Sequence, residues 1–220
     1  MKKFNLFSAR YNNLKVGLLG GSFNPAHLGH LNISLEAIKY LNLDYVYWLV
    51  TPQNPLKVVN IKKTLDIRVK LAKKVASGNK KIIVSDIEKY LSSEYFYTSV
   101  TLQRLQQMHT NTIFVWLMGS DNLLQMHKWY RWKEIIDNFS ICVFDRGKYI
   151  YKALNSRLWN LYPNKILTKP IENDLRKSML YFLRIKRNPL SSEIIRKISK
   201  NNNYNKVNES KNRTVKRSYT

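Results

Sequence analysis

The strongest constraint on the fold is an apolar run that leads into a glycine turn and then into a helix. Residues 14–19 (LKVGLL) are typical of a short buried strand, and residues 20–25 (GGSFNP) are turn formers. From near His27 to about Tyr40 apolar residues recur at helical spacing, and residues 45–50 (YVYWLV) form a second apolar run. A strand, a turn, a helix and a strand in this order make the unit that connects parallel strands.

The same alternation continues along the chain. Apolar spacing predicts further helices over residues 64–76, 98–108, 132–136 and 191–200, and further strands over residues 81–85, 113–118, 140–144 and 165–167. Strands that alternate with helices at these lengths indicate an α/β fold. We therefore predict a single domain with a doubly wound, Rossmann-like parallel sheet.

Composition is consistent with one domain. The chain has 220 residues, of which 44% are hydrophobic, enough to build a core. We expect an N-terminal extension over residues 1–13, one folded domain over residues 14–200 and a disordered basic tail over residues 201–220, where apolar content is almost nil. Cys142 is the single cysteine, which excludes a disulfide framework and a cysteine-based zinc site.

The sequence shows no membrane-spanning or secretory signal. No apolar run reaches the length of a spanning helix, and the first fifteen residues lack the long apolar stretch of a secretory leader. We therefore expect a cytoplasmic protein with no membrane partner.

The chain carries a formal net charge of +24, and more than half of this excess lies in residues 146–220. Such a field favours anionic partners, among them nucleotides, nucleic acid and anionic lipid. Compositional drift explains the charge equally well, because the chain is also rich in Asn, Ile and Tyr. Stacking aromatics are not interleaved with the basic residues in a known RNA-binding pattern, so we expect nucleic acid not to be the main partner.

The turn after the first strand has the features of an anion site. Gly20 and Gly21 let the backbone approach a ligand closely, and the N–H groups at the start of the next helix favour an anion. His27 and His30 are three residues apart, so both imidazoles lie on one side of the first helical turn and can donate to phosphate oxygens. A His pair alone is more often a satisfied structural pair, but the preceding glycine turn favours phosphate binding.

Other motifs that handle phosphates or metals do not fit. The chain has neither a G-x-x-x-x-G-K-[ST] loop nor a G-x-G-x-x-G turn, which excludes a P-loop and argues against a dinucleotide-binding dehydrogenase. His-x-x-His without a third ligand nearby is a poor metal site, so we predict no metal held by the protein itself.

Residues 20–30 (GGSFNPAHLGH) resemble the G-G-[ST]-F-[DN]-P-x-H-x-G-H signature of the nucleotidyltransferase superfamily, which carries the HxGH motif. Within it the whole chain is similar to the bacterial nicotinate-nucleotide adenylyltransferase family. Four further segments support the resemblance in the same order along the chain: residues 53–57 (QNPLK), residues 97–102 (YTSVTL), residues 119–129 (GSDNLLQMHKW) and residues 191–196 (SSEIIR). Asn24 and Glu193 stand where the family more often has Asp and Thr.

The resemblance implies transfer of AMP from ATP to nicotinate mononucleotide in NAD biosynthesis, with Mg²⁺ carried on the ATP phosphates. It assigns His27 and His30 to catalysis, with His30 the first choice for stabilising the transition state. It assigns ATP binding to Gly20, Gly21, Ser22, Phe23, Lys57, Gly119, Asp121, Ser191, Ser192 and Arg196. It assigns the acceptor to Asn54, Thr98, Trp129 and Arg146, with the Trp129 indole stacked on the pyridine ring and Thr98 near its carboxylate.

Several alternatives stay open at this point. A sister enzyme could transfer the nucleotide to phosphopantetheine or to another acceptor, or the chain could be a basic nucleic-acid-binding protein or an inactive relative. The sequence does not distinguish the acid from the amide form of the mononucleotide. It does not fix the oligomeric state either, although a homo-oligomer is compatible with a small enzyme of this type.

Overall fold

The computed structural model of the protein describes residues 13–52, 63–91, 96–145, 157–167 and 175–185. Seven strands occur in this part of the chain: β1 (Lys15–Gly21), β2 (Tyr45–Val50), β3 (Ile82–Ser85), β4 (Ile113–Gly119), β5 (Ser140–Asp145), β6 (Ile166–Leu167) and β7 (Leu180–Arg184). The α-helices are α1 (Leu28–Tyr40), α2 (Leu65–Ala76), α3 (Glu88–Leu91), α4 (Thr98–Met108), α5 (Ser120–Leu123), α6 (Trp132–Asn138) and α7 (Arg157–Leu161). Two 3₁₀ turns, Met126–Lys128 and Pro163–Lys165, complete the described elements.

The seven strands form one sheet in the order β3-β2-β1-β4-β5-β7-β6. Every described strand pair is parallel. The predicted α/β fold with a Rossmann-like parallel sheet is therefore confirmed. Parallel strands all end at the same edge, so the carboxyl ends of β2, β1, β4 and β5 lie beside one another in that order.

Two core clusters cover the two faces of the sheet. Ile33 of α1 and Ala72 of α2 pack on one face, which we call the α1 face. Leu102 of α4 and Ile135 of α6 pack on the other, which we call the α4 face. Both faces are buried, so the central strands are almost continuously apolar, and each buried aliphatic or aromatic side chain contributes about 1.5–3 kcal/mol.

Gly20 is required at the end of β1 by packing. A Cβ built on Gly20 would lie 2.3 Å from the Trp116 ring, well inside van der Waals contact. The Trp116 ring is itself buried and meets Trp129 edge to face, with ring centroids 6.3 Å apart. The bare backbone of Gly20 therefore supports the indole on the α4 face.

The predicted boundaries agree with the structure within a few residues over the first six major elements, and four elements were not predicted. Helices α3, α5 and α7 span only four or five residues, too few to show a helical period. Strand β7 was missed because the sequence signal weakens after residue 147. The predicted helix over residues 191–200, the predicted tail over residues 201–220 and all but the last residue of the predicted extension over residues 1–13 lie outside the described residues. In the described part of the chain, none of the helices combines the length and the apolar character needed to cross a bilayer.

Glu88, the first residue of α3, has a buried side-chain carboxyl group and lies near the edge of the sheet that is formed by the C-terminal ends of the strands. Its side chain is 3% exposed, and Oε1 accepts a hydrogen bond of 3.1 Å from Thr101 Oγ1. Burial raises the pKa of Glu88 to about 7, and hydrogen bonds with Thr51 and Thr101 oppose this shift only in part. Glu88 therefore connects the end of β2, helix α3 and helix α4.

We expect Glu88 to make the folded state less stable as pH rises. An unfolded glutamate releases its proton near pH ~4.3, whereas the folded protein keeps it until about pH 7. Across this window the unfolded state alone gains charge, so wild type loses on the order of 3 kcal/mol of unfolding free energy. Glu88→Gln does not titrate and should lack this loss.

Urea unfolding of wild type and Glu88→Gln at about pH 5 and about pH 8 measures the effect. The Glu88→Gln variant should gain stability relative to wild type at the higher pH. Glu36→Gln, at a half-buried position in the middle of α1, is the control for removing a carboxylate. A difference in unfolding free energy between wild type and Glu88→Gln that is the same at both pH values would contradict the expectation.

Candidate active site

The candidate site lies where the winding of the sheet reverses. β1 and β4 are neighbours, yet β1 continues into α1 on one face whereas β4 leads towards α6 on the other. In open α/β sheets ligands bind at such a switch point, outside the carboxyl ends of the strands. The turns that meet there are residues 20–30 after β1 and residues 119–121 at the end of β4.

His27 is the N-cap of α1. Its Nδ1 accepts a hydrogen bond of 3.1 Å from the Gly29 backbone N–H, and its own backbone N–H donates to His30 Nδ1 over 3.2 Å. This is the reciprocal arrangement of a capping box, with imidazoles in the places that Ser or Thr and Glu usually occupy. The two histidines therefore start the helix on which they lie.

These hydrogen bonds fix the tautomer of both rings. Since Nδ1 of His27 and Nδ1 of His30 each accept from a backbone N–H, the proton of each neutral ring is on Nε2. The ring centroids are 3.8 Å apart. Each neutral ring therefore has an N–H donor at Nε2, a group that can donate to a phosphate oxygen.

An aromatic scaffold holds His30 in place. Its ring centroid lies 4.7 Å from that of Phe23 and 5.8 Å from that of Trp48, and Phe23 stacks on Trp48 at 5.2 Å. Trp48 Nε1 donates to Ser34 Oγ over 2.7 Å, and Ser34 Oγ donates to the His30 carbonyl over 2.9 Å. Phe23 has a φ of +45°, a left-handed conformation that turns the chain after Ser22.

Arg68 on α2 contacts this turn, and it is not among the site residues predicted from the sequence. Its Nη1 donates to the carbonyls of Ser22 over 2.6 Å and Thr51 over 2.8 Å, and Nη2 donates to the Pro52 carbonyl over 2.9 Å. Burial lowers the pKa of the guanidinium from its usual value, although arginine remains protonated. The available signal was helical spacing, since Arg68 is four residues before the buried Ala72.

The second turn of the site is built from the end of β4. Gly119 pairs with Phe144 of β5 and is the N-cap residue of α5. Asp121 follows in the first turn of α5 and is half-buried, and Ser120 between them is buried. A carboxylate in this position can accept hydrogen bonds from the hydroxyl groups of a ligand.

The predicted acceptor residues Thr98 and Trp129 belong to the α4 face. Thr98 begins α4, and the N-cap residue Tyr97 makes no side-chain capping hydrogen bond, so the first amides of this helix are not capped by that side chain. Trp129 is half-buried, ends the 3₁₀ turn Met126–Lys128 and packs against the core edge to face with Trp116. Part of the Trp129 ring is thus buried in the core and part is exposed.

Six predicted site residues lie outside the described residues: Asn54, Lys57, Arg146, Ser191, Ser192 and Arg196. Their roles stay predictions. Of the predicted residues that the structure describes, it brings His27, His30 and the Gly20–Phe23 turn together directly. Over the described ranges, no group of three or more His, Cys, Asp and Glu side chains is placed to hold a metal ion.

Comparisons with known proteins agree with this architecture. The family model described as cytidylyltransferase-like matches residues 18–198. A probable nicotinate-nucleotide adenylyltransferase of Parvibaculum lavamentivorans is 47% identical over 64% of this chain and 68% of its own length. A protein of the same name from Brucella suis biovar 1 is 37% identical over 84% of this chain and 95% of its own length.

A solved structure has the same fold. Plasmodium falciparum nicotinic acid mononucleotide adenylyltransferase, complexed with NaAD, superposes with a TM-score of 0.62 at 17% identity, over 84% of this chain and 83% of that one. The resemblance read from residues 20–30 is confirmed by the matched family model and by the extent of the two bacterial matches. The chain belongs to the nicotinate-nucleotide adenylyltransferase family of cytidylyltransferase-like nucleotidyltransferases.

Proposed function

We propose that this chain transfers AMP from ATP to nicotinate mononucleotide, forming nicotinate adenine dinucleotide and pyrophosphate in NAD biosynthesis. The observation that carries the proposal is the pair of imidazoles at the start of α1, each with Nδ1 accepting a backbone hydrogen bond. Family membership and the position of the pair at the switch point of the sheet support the same reaction.

The reaction makes one bond and breaks one bond at phosphorus. A phosphate oxygen of the mononucleotide attacks the α-phosphorus of ATP, and the bond from the α-phosphorus to the oxygen that bridges to the β-phosphorus breaks. Pyrophosphate leaves with that oxygen. Both reactants are anions, so the protein has to align them and offset their charge, and a covalent nucleophile is not required.

His27 and His30 supply the donors for this task. Their Nε2–H groups donate to phosphate oxygens of ATP, and His30 stabilises the charge that develops on the phosphates as the bridging bond breaks. The close stacking of His30 with Phe23 keeps the donor aimed without reorganisation. Backbone N–H groups of the Gly20–Phe23 turn line the same phosphates.

The remaining residues divide between the two substrates. Gly119 lets the adenosine approach the end of β4, and Asp121 accepts hydrogen bonds from ribose hydroxyls. Thr98 and the first amides of α4 receive the nicotinate carboxylate, and the exposed part of Trp129 stacks on the pyridine ring. In this proposal Lys57, Ser191, Ser192 and Arg196 contact the triphosphate, and Asn54 and Arg146 contact the acceptor.

Mg²⁺ enters with ATP as part of the substrate. Magnesium prefers oxygen ligands, and the polyphosphate of ATP supplies them. The phosphate oxygens of ATP are therefore its ligands, and the ion offsets part of their charge.

Cytoplasmic location and self-association stay predictions, and size-exclusion chromatography with light scattering measures self-association.

His30→Ala should lower turnover with ATP and nicotinate mononucleotide by ~100-fold or more, because it removes an N–H donor aimed at developing charge. His30→Gln keeps an N–H donor at a similar reach and should lose less. Steady-state kinetics with circular dichroism as the folding control measure this. An unchanged rate for a folded His30→Ala variant would remove His30 from the mechanism.

Acceptor choice tests the proposed substrate directly. Purified protein with ATP and Mg²⁺ should release pyrophosphate faster with nicotinate mononucleotide than with phosphopantetheine, because the amides at the start of α4 and the Trp129 ring suit a carboxylated pyridine. Nicotinamide mononucleotide, measured in parallel, gives the preference between acid and amide. Transfer to phosphopantetheine but not to nicotinate mononucleotide would reject the proposal in favour of a sister enzyme.

A further inference from the structure

Arg68 joins two segments that lie at the centre of the site. Its guanidinium, 1% exposed, contacts the carbonyl of Ser22 in the turn after β1 and the carbonyls of Thr51 and Pro52 at the end of β2. The Thr51 backbone N–H also donates to the Gly21 carbonyl over 3.0 Å. The relative position of the two loops is therefore set by side-chain and backbone bonds together.

Among the described residues, Arg68 forms no ion pair with a carboxylate. Within the described residues, the ion pairs are Lys89–Asp86, Arg131–Glu134 and Lys165–Asp137, none of which includes Arg68. A buried cation that contacts only carbonyls is costly to the fold. Its field extends to the carboxyl edge of the sheet, where it is screened less than a surface charge would be.

The geometry of the peptide unit links Arg68 to the phosphate turn. In a trans peptide the C=O and the following N–H point in opposite directions. The Ser22 carbonyl points at Arg68, so the Phe23 N–H of the same peptide points away from it. A hydrogen bond from a charged donor to the carbonyl also polarises the peptide and strengthens its N–H as a donor.

We propose that Arg68 is a positioning residue for the polyphosphate of ATP. It holds the Ser22–Phe23 peptide so that the Phe23 N–H faces the phosphates, and it keeps the Phe23 ring in contact with the His30 ring. Its buried charge adds to the attraction of the site for polyphosphate. The inference rests on the proposed function only for the identity of the nucleotide.

A purely structural role for Arg68 makes a different prediction. A bond that only stabilises the fold lowers the unfolding midpoint when it is removed and leaves the substrate constants of the folded variant unchanged. A positioning role raises the KM and Kd for ATP more than the KM for the acceptor. Arg68 contacts the phosphate turn directly through the Ser22 carbonyl, whereas of the proposed acceptor residues Thr98 and Trp129 belong to the opposite face of the sheet and only Asn54 follows the segment that Arg68 contacts.

Two variants separate charge from geometry. Arg68→Met keeps an unbranched apolar side chain but removes the charge and the N–H donors, and Arg68→Lys keeps the charge but cannot contact three carbonyls in the same way. Arg104→Met and Arg104→Lys, at an exposed position on α4, are the matched controls. Each protein is studied at a temperature at which circular dichroism shows it folded.

Kinetics and calorimetry give the readouts. For Arg68→Met we expect the KM for ATP, and the Kd for ATP measured without acceptor, to rise ~10-fold or more, with a clearly smaller increase in the KM for nicotinate mononucleotide. Arg68→Lys should lie between Arg68→Met and wild type. The Arg104 variants should match wild type. Unchanged ATP constants in folded Arg68 variants, or equal increases for both substrates, would overturn the inference.

The role of Arg68 can still be tested if one variant does not fold or if the proposed acceptor is wrong. If Arg68→Met does not fold, Arg68→Lys is the test variant. When inorganic tripolyphosphate is added, the chemical shift of the Phe23 amide should change by different amounts in wild type and in Arg68→Lys. An identical response in both proteins would count against the inference. If wild type does not use nicotinate mononucleotide, the proposed acceptor is wrong, whereas the Kd for ATP still tests Arg68.

Discussion

The hydrogen bonds from backbone amides to the Nδ1 atoms of His27 and His30 are the interaction on which the site depends. They determine at once where α1 begins and which nitrogen of each ring carries the proton. Folding of the first helical turn and formation of two Nε2–H donors are therefore one event. A site of this kind needs no separate group to orient the imidazoles, since the helix start does so.

The residues proposed to bind the two substrates belong with helices on opposite faces of the parallel sheet. The histidine pair, Phe23 and Arg68 belong with the helices of the α1 face, whereas Thr98 and Trp129 belong with those of the α4 face. β1 and β4 lie side by side between them. Two reacting groups bound from opposite faces would meet over the ends of these two strands, which is the arrangement that an in-line transfer requires.

The sequence predicted the parts whose pattern repeats and missed those that depend on tertiary contacts. The apolar run of β2 and the helical spacing of apolar residues in α1 could be predicted, because burial on both faces of the sheet requires apolar strands and amphipathic helices. Arg68 and Glu88 were not, because a charged residue in a helix is usually solvated and the sequence does not show which carbonyls or hydroxyls surround it. β7 was missed because the run around Leu180–Arg184 follows a region of weak signal in which no helix of clear period separates it from β6.

The contact between Gly20 and Trp116 restricts how sequences of this fold can diverge. Alanine at position 20 would overlap the indole, and that ring is enclosed by the core and by Trp129, so it has nowhere to move. A larger residue at position 20 therefore becomes acceptable only in a background where position 116 has already become smaller. The two positions form an epistatic pair, and evolutionary paths that enlarge the first residue before shrinking the second pass through a poorly folded intermediate.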